Sequence, residues 1–537
     1  MRLFSLFSFL LFPFSYFSFS QSNQNLSLVR EKNILYERYL NGSDSKVHTS
    51  IKPFNNSKEL EAINDSIKKN MMSATNQEKK SSPNELTRTN KISVDGIFSC
   101  EFNYEKGNIS AKNLERTAGL ALNGYIKKKL SVNTTFLSGN SSFPAYLDTF
   151  IYKTKVIPGT GSAYGSNGKY SYQYYSGYLS YSPGKIFNFQ IGKDKHFWGD
   201  GYRSLFLSDV SNSFPFAKIS TTIWKLQYVN LFAMMNDVTA SPFKSDIKKK
   251  YGTFHYLSWN TSKRFNLALF ESIIWQGTDS NRVRKFDVNY LNPVIFYRPV
   301  EYSMGSSDNV LLGTSFKIKV GKKYLQQFYG QIILDEFLLK EVLAVFKKIK
   351  HPFDKTIQYG WWGNKQGVQL GFRSFDLFTL KNLTFQTEIN AVRPYTYSHG
   401  SVQQNYGNYN QPLAHPLGSN FTESVSFLNY RYRKWMLETE FLYATYGKDE
   451  NGVNYGGNIF ESYFTHPMEY GNKFWQGLKT NLSYSRLKLA YYIIPSDNLL
   501  VEAGVAVRKE KNSISTLNSN YFFIGIRRGI MNRYADF

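Results

Sequence analysis

The chain has 537 residues, with 65 Lys and Arg against 40 Asp and Glu, a formal net charge of +25 and a single cysteine, Cys100. Aromatic residues make up 17% of it, 40 Tyr and 44 Phe among them, yet the mean hydropathy is only −0.40. No stretch after Phe19 approaches the roughly 18–20 continuous apolar residues of a spanning helix, which excludes a helical membrane protein. One cysteine excludes an internal disulfide and any zinc cluster built on cysteines.

Residues 1–20 read as a secretory signal peptide. Arg2 supplies a basic start, Leu3–Phe19 an apolar Phe-rich run, and Ser18-Phe19-Ser20 small residues before a cleavage that leaves Gln21 first. Residues 21–90 are polar and rich in Asn, Ser and Lys. Leu60, Ile63, Ile67 and Met71 form one weak helical pattern there. This predicts an N-terminal periplasmic segment, disordered near Ser73–Asn90.

From Lys91 the period becomes two. Leu120 and Leu122 begin one strand region, with Tyr125. Tyr170, Tyr172 and Tyr174 alternate with Ser171 and Gln173, and Phe187, Phe189 and Ile191 with Asn188 and Gln190. Leu437, Thr439, Phe441 and Tyr443 alternate with Glu438 and Glu440, and Val501, Ala503, Val505 and Val507 with Glu502, Gly504 and Arg508. Each set places apolar groups on one face, the pattern of a sheet between lipid and a wet lumen. In lipid a closed barrel satisfies its backbone without any long apolar run. Residues 91–537 therefore predict an all-β, transmembrane outer-membrane β-barrel, and their length suits ~16–20 antiparallel strands. The last strand is expected near Asn520–Gly529, with Phe522, Ile524 and Ile526 on one side and Tyr521, Phe523 and Arg527 on the other. A terminal aromatic, Phe537, fits the same class.

One segment breaks the pattern. Leu338, Leu339, Val342, Leu343, Phe346 and Ile349 share a helical face within Phe337–Lys350, away from Lys340, Glu341, Lys347, Lys348 and Lys350. The expectation is an amphipathic helix inside or across the barrel mouth, plugging it, or lying on the membrane surface. Gly- and Asn-rich stretches at 159–169, 403–410 and 451–458 predict exposed loops.

Charge points to the partners. Residues 91–537 hold 53 Lys and Arg against 32 Asp and Glu, so the basic excess belongs to the barrel region. An exported chain does not routinely meet nucleic acid, so outer-membrane lipid, lipopolysaccharide phosphates and acidic surface polysaccharide are the expected partners. Asp194, His196 and Asp200 match no metal-ligand spacing. His399 and Ser401 could share one strand face as a base–nucleophile pair, but they lie in what reads as a Gly/Asn-rich loop. No catalytic, cofactor or metal site is expected.

The segment GKDKHFWGDGYRSLFLSDVSNSFPF at Gly192–Phe216 resembles the Wzi-type capsule-assembly outer-membrane family. GQIILDEF at Gly330–Phe337, GNKQGVQLGFR at Gly363–Arg373, QPLAHPLGSNFTE at Gln411–Glu423 and NRYADF at Asn532–Phe537 are similar to the same family, in order along the chain. The resemblance implies a monomeric barrel of about eighteen strands, without catalytic machinery, whose outward face associates with surface polysaccharide. It extends to members linked to gliding motility, so a motility or adhesion role through a protein partner is the alternative. Within the most family-like segment, Lys193, Lys195, Trp198 and Arg203 are the candidate polysaccharide contacts. A Trp face can stack on sugar C–H groups beside cations that bind acids. The competing expectation is that these residues brace the lumen through Asp194, Asp200, Asp335 and Glu336.

Overall fold

The computed structural model describes residues 24–537 apart from 43–44, 56–59, 61, 64–65, 68–89, 109, 127–128, 167, 239–246, 280–281, 284–285, 296–307, 323–324, 337, 355 and 530. The expected signal peptide and the region near Ser73–Asn90 lie outside those residues, apart from Asn90 itself. Among the described residues no helix is long and apolar enough to cross a membrane.

Eighteen antiparallel strands close into one barrel. They are β1 (Asn90–Gly107), β2 (Ala111–Ile126), β3 (Leu130–Ser141), β4 (Lys169–Tyr181), β5 (Phe187–Asp194) and β6 (Phe214–Ile223). Then come β7 (Leu226–Asp237), β8 (Lys248–Asn260), β9 (Phe265–Gln276), β10 (Asn309–Val320), β11 (Gln326–Leu334) and β12 (Gln366–Ser374). The last six are β13 (Leu383–Val392), β14 (Phe421–Tyr432), β15 (Trp435–Lys448), β16 (Leu478–Ile494), β17 (Leu499–Lys511) and β18 (Thr516–Arg528). The seam pairs β1 with β18, Cys100 opposite Ile526. Closure leaves no open sheet edge, as a bilayer demands.

Connections sort by length. At one end lie short turns such as 224–225, 261–264, 433–434 and 495–498; at the other lie 142–168, 195–213, 277–308, 335–365, 393–420 and 449–477. The short-turn end is periplasmic and the long-loop end extracellular.

Alternation sorts the wall residues. Phe187, Phe189, Ile191, Leu437, Phe441, Tyr443, Val501, Val505 and Val507 face outward and are exposed. On β18, Phe522, Ile524 and Ile526 point outward and Phe523 is buried, as the period requires. The tyrosines of β4 differ from expectation. Tyr170, Tyr172 and Tyr174 are buried inside and their neighbour Tyr175 faces out. The phenol explains it: Tyr170 donates to Asp148 (2.6 Å), and Tyr172 lies 2.9 Å from Thr117 Oγ1. A hydroxyl with an interior partner outweighs the ring's preference for lipid.

The described part of the chain before β1 is not separate from the barrel. α1 (Arg30–Gly42) and residues 45–55 sit in the periplasmic end. Arg30 pairs with Glu438 (2.9 Å), Glu31 with Arg527 (2.7 Å) and Lys488 (3.2 Å), and Arg38 with Asp376 (2.6 Å) in the periplasmic connection 375–382. Glu37 pairs with Lys52 (2.7 Å) and with Arg373. From the extracellular end, α2 (Ala145–Thr154) packs inward on Phe143, Tyr170 and Tyr172. The stretches at 159–163 and 404–408, expected to be exposed, are folded inside. The final residues also turn inward. Phe537 does not end a lipid-facing strand; its ring meets Phe150 of α2 at 5.0 Å.

α3 (Leu339–Lys350) forms at the expected segment, but it does not plug the mouth. Leu339, Leu343, Phe346 and Ile349 are all exposed.

Val505 lies mid-strand on β17 and faces outward, so a Val505→Arg variant is expected to lose about 2–4 kcal/mol of stability in a bilayer. Guanidine titration of the protein folded into phospholipid vesicles measures it; no loss would mean that this face does not meet lipid.

Candidate functional site

The connection 195–213 enters the lumen rather than leaving the barrel, and most of its residues are buried. Its first turn is tied to the N-terminal segment: Ile51 and Lys52 pair with Trp198 and Phe197 as a short antiparallel ladder, and Gly199 N donates to Ser50 O (2.8 Å). Trp198 then fills an aromatic core with Tyr256 at 5.4 Å, Phe270 at 6.1 Å and Phe254 at 6.3 Å.

Arg203 is the centre of the lumen. Its guanidinium is fully buried and reaches Glu423 Oε1 at 2.9 Å and Asp536 Oδ2 at 2.8 Å. The backbone N–H groups of Tyr202 and Arg203 donate to the two oxygens of Glu388 (2.8 and 2.9 Å), and the Tyr202 hydroxyl donates to Asp536 (3.0 Å). His415 Nε2 lies 2.8 Å from Glu423. Tyr329 also donates to Glu388 (3.0 Å). Its ring lies over Gly371, where a Cβ would come within 2.2 Å of it, so only glycine leaves that ring its place. Burial pulls the Arg203 guanidinium down, but Asp536 and Glu423 outweigh it and hold it well above its ordinary value. Asp200 is pushed up by burial, yet Lys317, Lys52 and the Thr49 hydroxyl hold it below the usual carboxylate range.

The C-terminal residues complete the filling. Asn532 Nδ2 donates to Leu28 O (2.7 Å) and to Asp209 (3.0 Å), and Arg533 pairs with Glu115. Tyr534 donates to Asp209 (2.6 Å), and Arg508 donates to the Phe537 carbonyl (3.2 Å). The tail thus runs from the periplasmic end of β18 up to the extracellular end of β17.

The structure separates the four candidate polysaccharide contacts. Lys193 faces outward at the extracellular end of β5, with Nζ 3.4 Å from the centre of the Tyr175 ring. Lys195, Trp198 and Arg203 are inside, each under 5% exposed. Lys195 donates to Asp209 O (2.9 Å), and burial pushes its amine down to about 8. These three share no surface that a polymer could touch. The bracing partners differ from those expected too: Asp200 takes Lys317 (3.1 Å), while Asp335 (3.0 Å) and Glu336 (3.4 Å) take Lys365. Glu388, Glu423, His415 and Asp536 went unremarked in the sequence. Three of them stand in the quoted segments Gln411–Glu423 and Asn532–Phe537, as titratable residues among apolar ones.

Two further candidates resolve. Ser401 Oγ donates to Gln276 Oε1 (2.7 Å), while His399 Nδ1 accepts only the Ser401 backbone N–H (3.1 Å), so no base–nucleophile pair forms. Among the described residues no cluster of three His, Cys, Asp or Glu could hold a metal; His196 packs edge-on against Phe216 at 4.6 Å.

At the extracellular end three loops are joined. Trp362 N donates to Glu469 O (3.0 Å), Asn472 N to Gly360 O (2.9 Å), Tyr395 N to Gly456 O (3.0 Å) and Ser462 Oγ to Gly400 O (2.7 Å). Trp362 stacks on His466 at 4.5 Å and meets Tyr463 at 4.9 Å; Trp362 Nε1 donates to Glu469 (3.0 Å). Tyr359, Phe464 and Tyr470 are exposed around this cluster, with Lys473 beside them.

Eighteen strands and a filled lumen invite comparison with solved barrels. The fold is similar to that of Wzi. That Escherichia coli outer-membrane protein, involved in group 1 capsule assembly and described as a carbohydrate-binding β-barrel, aligns with a TM-score of 0.54 at 12% identity, over 95% of this chain and 99% of Wzi. Pseudomonas aeruginosa OccK1 (0.43, 8% identity, 81% and 98% covered) and OprD (0.40, 9%, 82% and 96%) also align. No protein-family model matches the chain. No curated protein matches it in sequence. The chain has the closed fold of an outer-membrane β-barrel, and its likeness to Wzi is one of fold.

Arg203→Ala is expected to cost about 3–5 kcal/mol, because it leaves the buried Glu423 and Asp536 without the cation they share. Guanidine unfolding in vesicles measures the loss. Arg203→Lys should recover only part of it, since an ammonium cannot reach both carboxylates as a planar fork does; full recovery would contradict the pairing.

His48 lies 2.8 Å from Ser258 Oγ and fastens the N-terminal segment to β8. Burial, with Lys317 nearby, lowers its pKa to about 4. A depressed imidazole contributes stability that is full above about 6.5 and is lost as pH falls towards 4. His399, lowered to about 4, acts in the same direction, while Asp335, raised to about 6, acts against it. Protease cleavage within residues 45–55 should therefore rise between pH 6.5 and 4 in the native protein, and less steeply in His48→Gln. Equal slopes would remove His48 from the seat.

Proposed function

We propose that this barrel is a non-enzymatic anchor or organiser of surface polysaccharide, binding it at the joined extracellular loops. The observation that carries the reading is the lumen, which the chain fills with its own N-terminal segment, the 195–213 connection and its tail. A barrel filled in this way is suited to holding rather than passing. What it offers outside are the exposed Tyr359, Phe464 and Tyr470, carried on the packed cluster of Trp362, Tyr463 and His466, with the exposed Lys473 close to Tyr470 along the chain. Aromatic faces take sugar C–H groups, and Lys473 supplies a charge for acidic sugars. Likeness of fold to a carbohydrate-binding capsule-assembly barrel supports the same reading. Of the four sequence candidates, Lys193 stays in it as an outward cation at the extracellular rim, where lipopolysaccharide phosphates are the nearest partners.

Polysaccharide extracted from the producing cells should be retained by the purified protein, and less so as salt rises, because screening shortens the reach of Lys473 to about 8–10 Å. Tyr359→Ala and Phe464→Ala are each expected to weaken retention roughly 2- to 12-fold, the equivalent of about 0.5–1.5 kcal/mol per aromatic contact. Retention unchanged in the double variant would move the site elsewhere. No retention by the native protein would favour a protein partner in motility or adhesion.

A further inference from the structure

α3 is built the wrong way round for a helix that belongs to a protein core. Its polar back carries Glu341, which is buried, and Lys348, whose Nζ donates to Asp354 O (2.6 Å) in the same loop. Its apolar front faces away. Leu339, Leu343, Phe346 and Ile349 are between 49% and 70% exposed, and Phe353, just beyond the helix, is 95% exposed. At 100° per residue those four side chains share one arc, and Lys340 and Lys347 stand together along one edge of it, with Lys350 at the end. Flanking lysines beside an apolar stripe let the stems lie along lipid while the ammonium groups stay at the headgroups.

We infer that α3 is an interfacial helix, its apolar front lying in the outer leaflet and Lys340, Lys347 and Lys350 on lipid phosphates. Three observations choose lipid over other occupants. The helix sits in the 335–365 loop, between two strands whose outward residues nearest that loop, Ile332, Val368 and Leu370, are apolar and exposed like its own front. The loop's stem is closed at the barrel end by Asp335 N to Lys365 O and Lys365 N to Glu336 O (both 3.0 Å), which keeps the helix at the rim. A second copy packed through the same face would bring like charges together at the edge, which is unfavourable.

The test uses the full chain with Cys100→Ser and one cysteine at a time, Phe346→Cys or Lys348→Cys, carrying an environment-sensitive fluorophore. The protein is folded into phosphatidylethanolamine–phosphatidylglycerol vesicles, and the retention of heat-modifiable gel mobility certifies the barrel. The expected result is a blue-shifted emission at 346 that spin-labelled lipid quenches, and a water-like, unquenched emission at 348. Replacing Lys340, Lys347 and Lys350 by Glu should move the 346 emission back towward water. Water-like emission at both positions would overturn the inference. So would a 346 signal that is shielded only as the protein-to-lipid ratio rises and is not quenched by the lipid, since that is the behaviour of contact between copies.

Discussion

Arg203 and its two carboxylates are the joint on which the interior depends. A barrel of eighteen strands is too wide for its wall side chains to meet across the middle. Something must fill the space, and here the chain fills it with three of its own segments. Each carries backbone and charge into a place poor in water, which is costly unless every charge finds a partner. One guanidinium, meeting Glu423 on the wall and Asp536 on the tail, ties the 195–213 connection to both. Glu388 holds the same connection by its backbone. The ladder between Ile51–Lys52 and Phe197–Trp198 brings in the N-terminal segment, and Asn532 brings in the tail.

That arrangement accounts for the division of the basic surplus. Inside, many cations share carboxylates, as Lys317 does with Asp200, Lys365 with Asp335 and Glu336, Lys488 with Glu438 and Glu31, and Arg373 with Glu37, while Lys195 is held by the Asp209 carbonyl. Outside, Lys340, Lys347, Lys350 and Lys473 are set among exposed aromatic and aliphatic groups at the extracellular end. Paired interior charge fixes a fold; solvated charge at a rim sets which molecules approach it.

The barrel was legible because period two is imposed by the pleat, whatever the residue. The split of β18 followed from alternation, while length alone left ~16–20 strands open and the family resemblance implied about eighteen. What alternation cannot say is which face is wet when a residue is both apolar and polar. Tyr170, Tyr172 and Tyr174 look like lipid anchors in sequence, yet each phenol ring is inside, and the hydrogen-bond partners Asp148 and Thr117 lie 22 and 55 residues away from their tyrosines. Distance along the chain also hid the lumen. The five family-like segments read as five separate motifs, yet they converge: Asp200 and Arg203, Gln331, Gln369, His415 and Glu423, and Asp536 all lie in or against one interior cluster. The residues of the outer aromatic cluster, Trp362 and Tyr463, carry no periodicity that would mark them.

The joining of the extracellular loops has a mechanical side. Loops 335–365, 393–420 and 449–477 are bonded to one another and continue directly into β11 to β16. A pull on that joined surface, away from the cell, loads those strands along their own axes. The ladders at the edges of that group, between β10 and β11 and between β16 and β17, then resist sliding as whole rows rather than opening one bond at a time. Load divided over many parallel bonds is far harder to release than the same load applied at one end of a row.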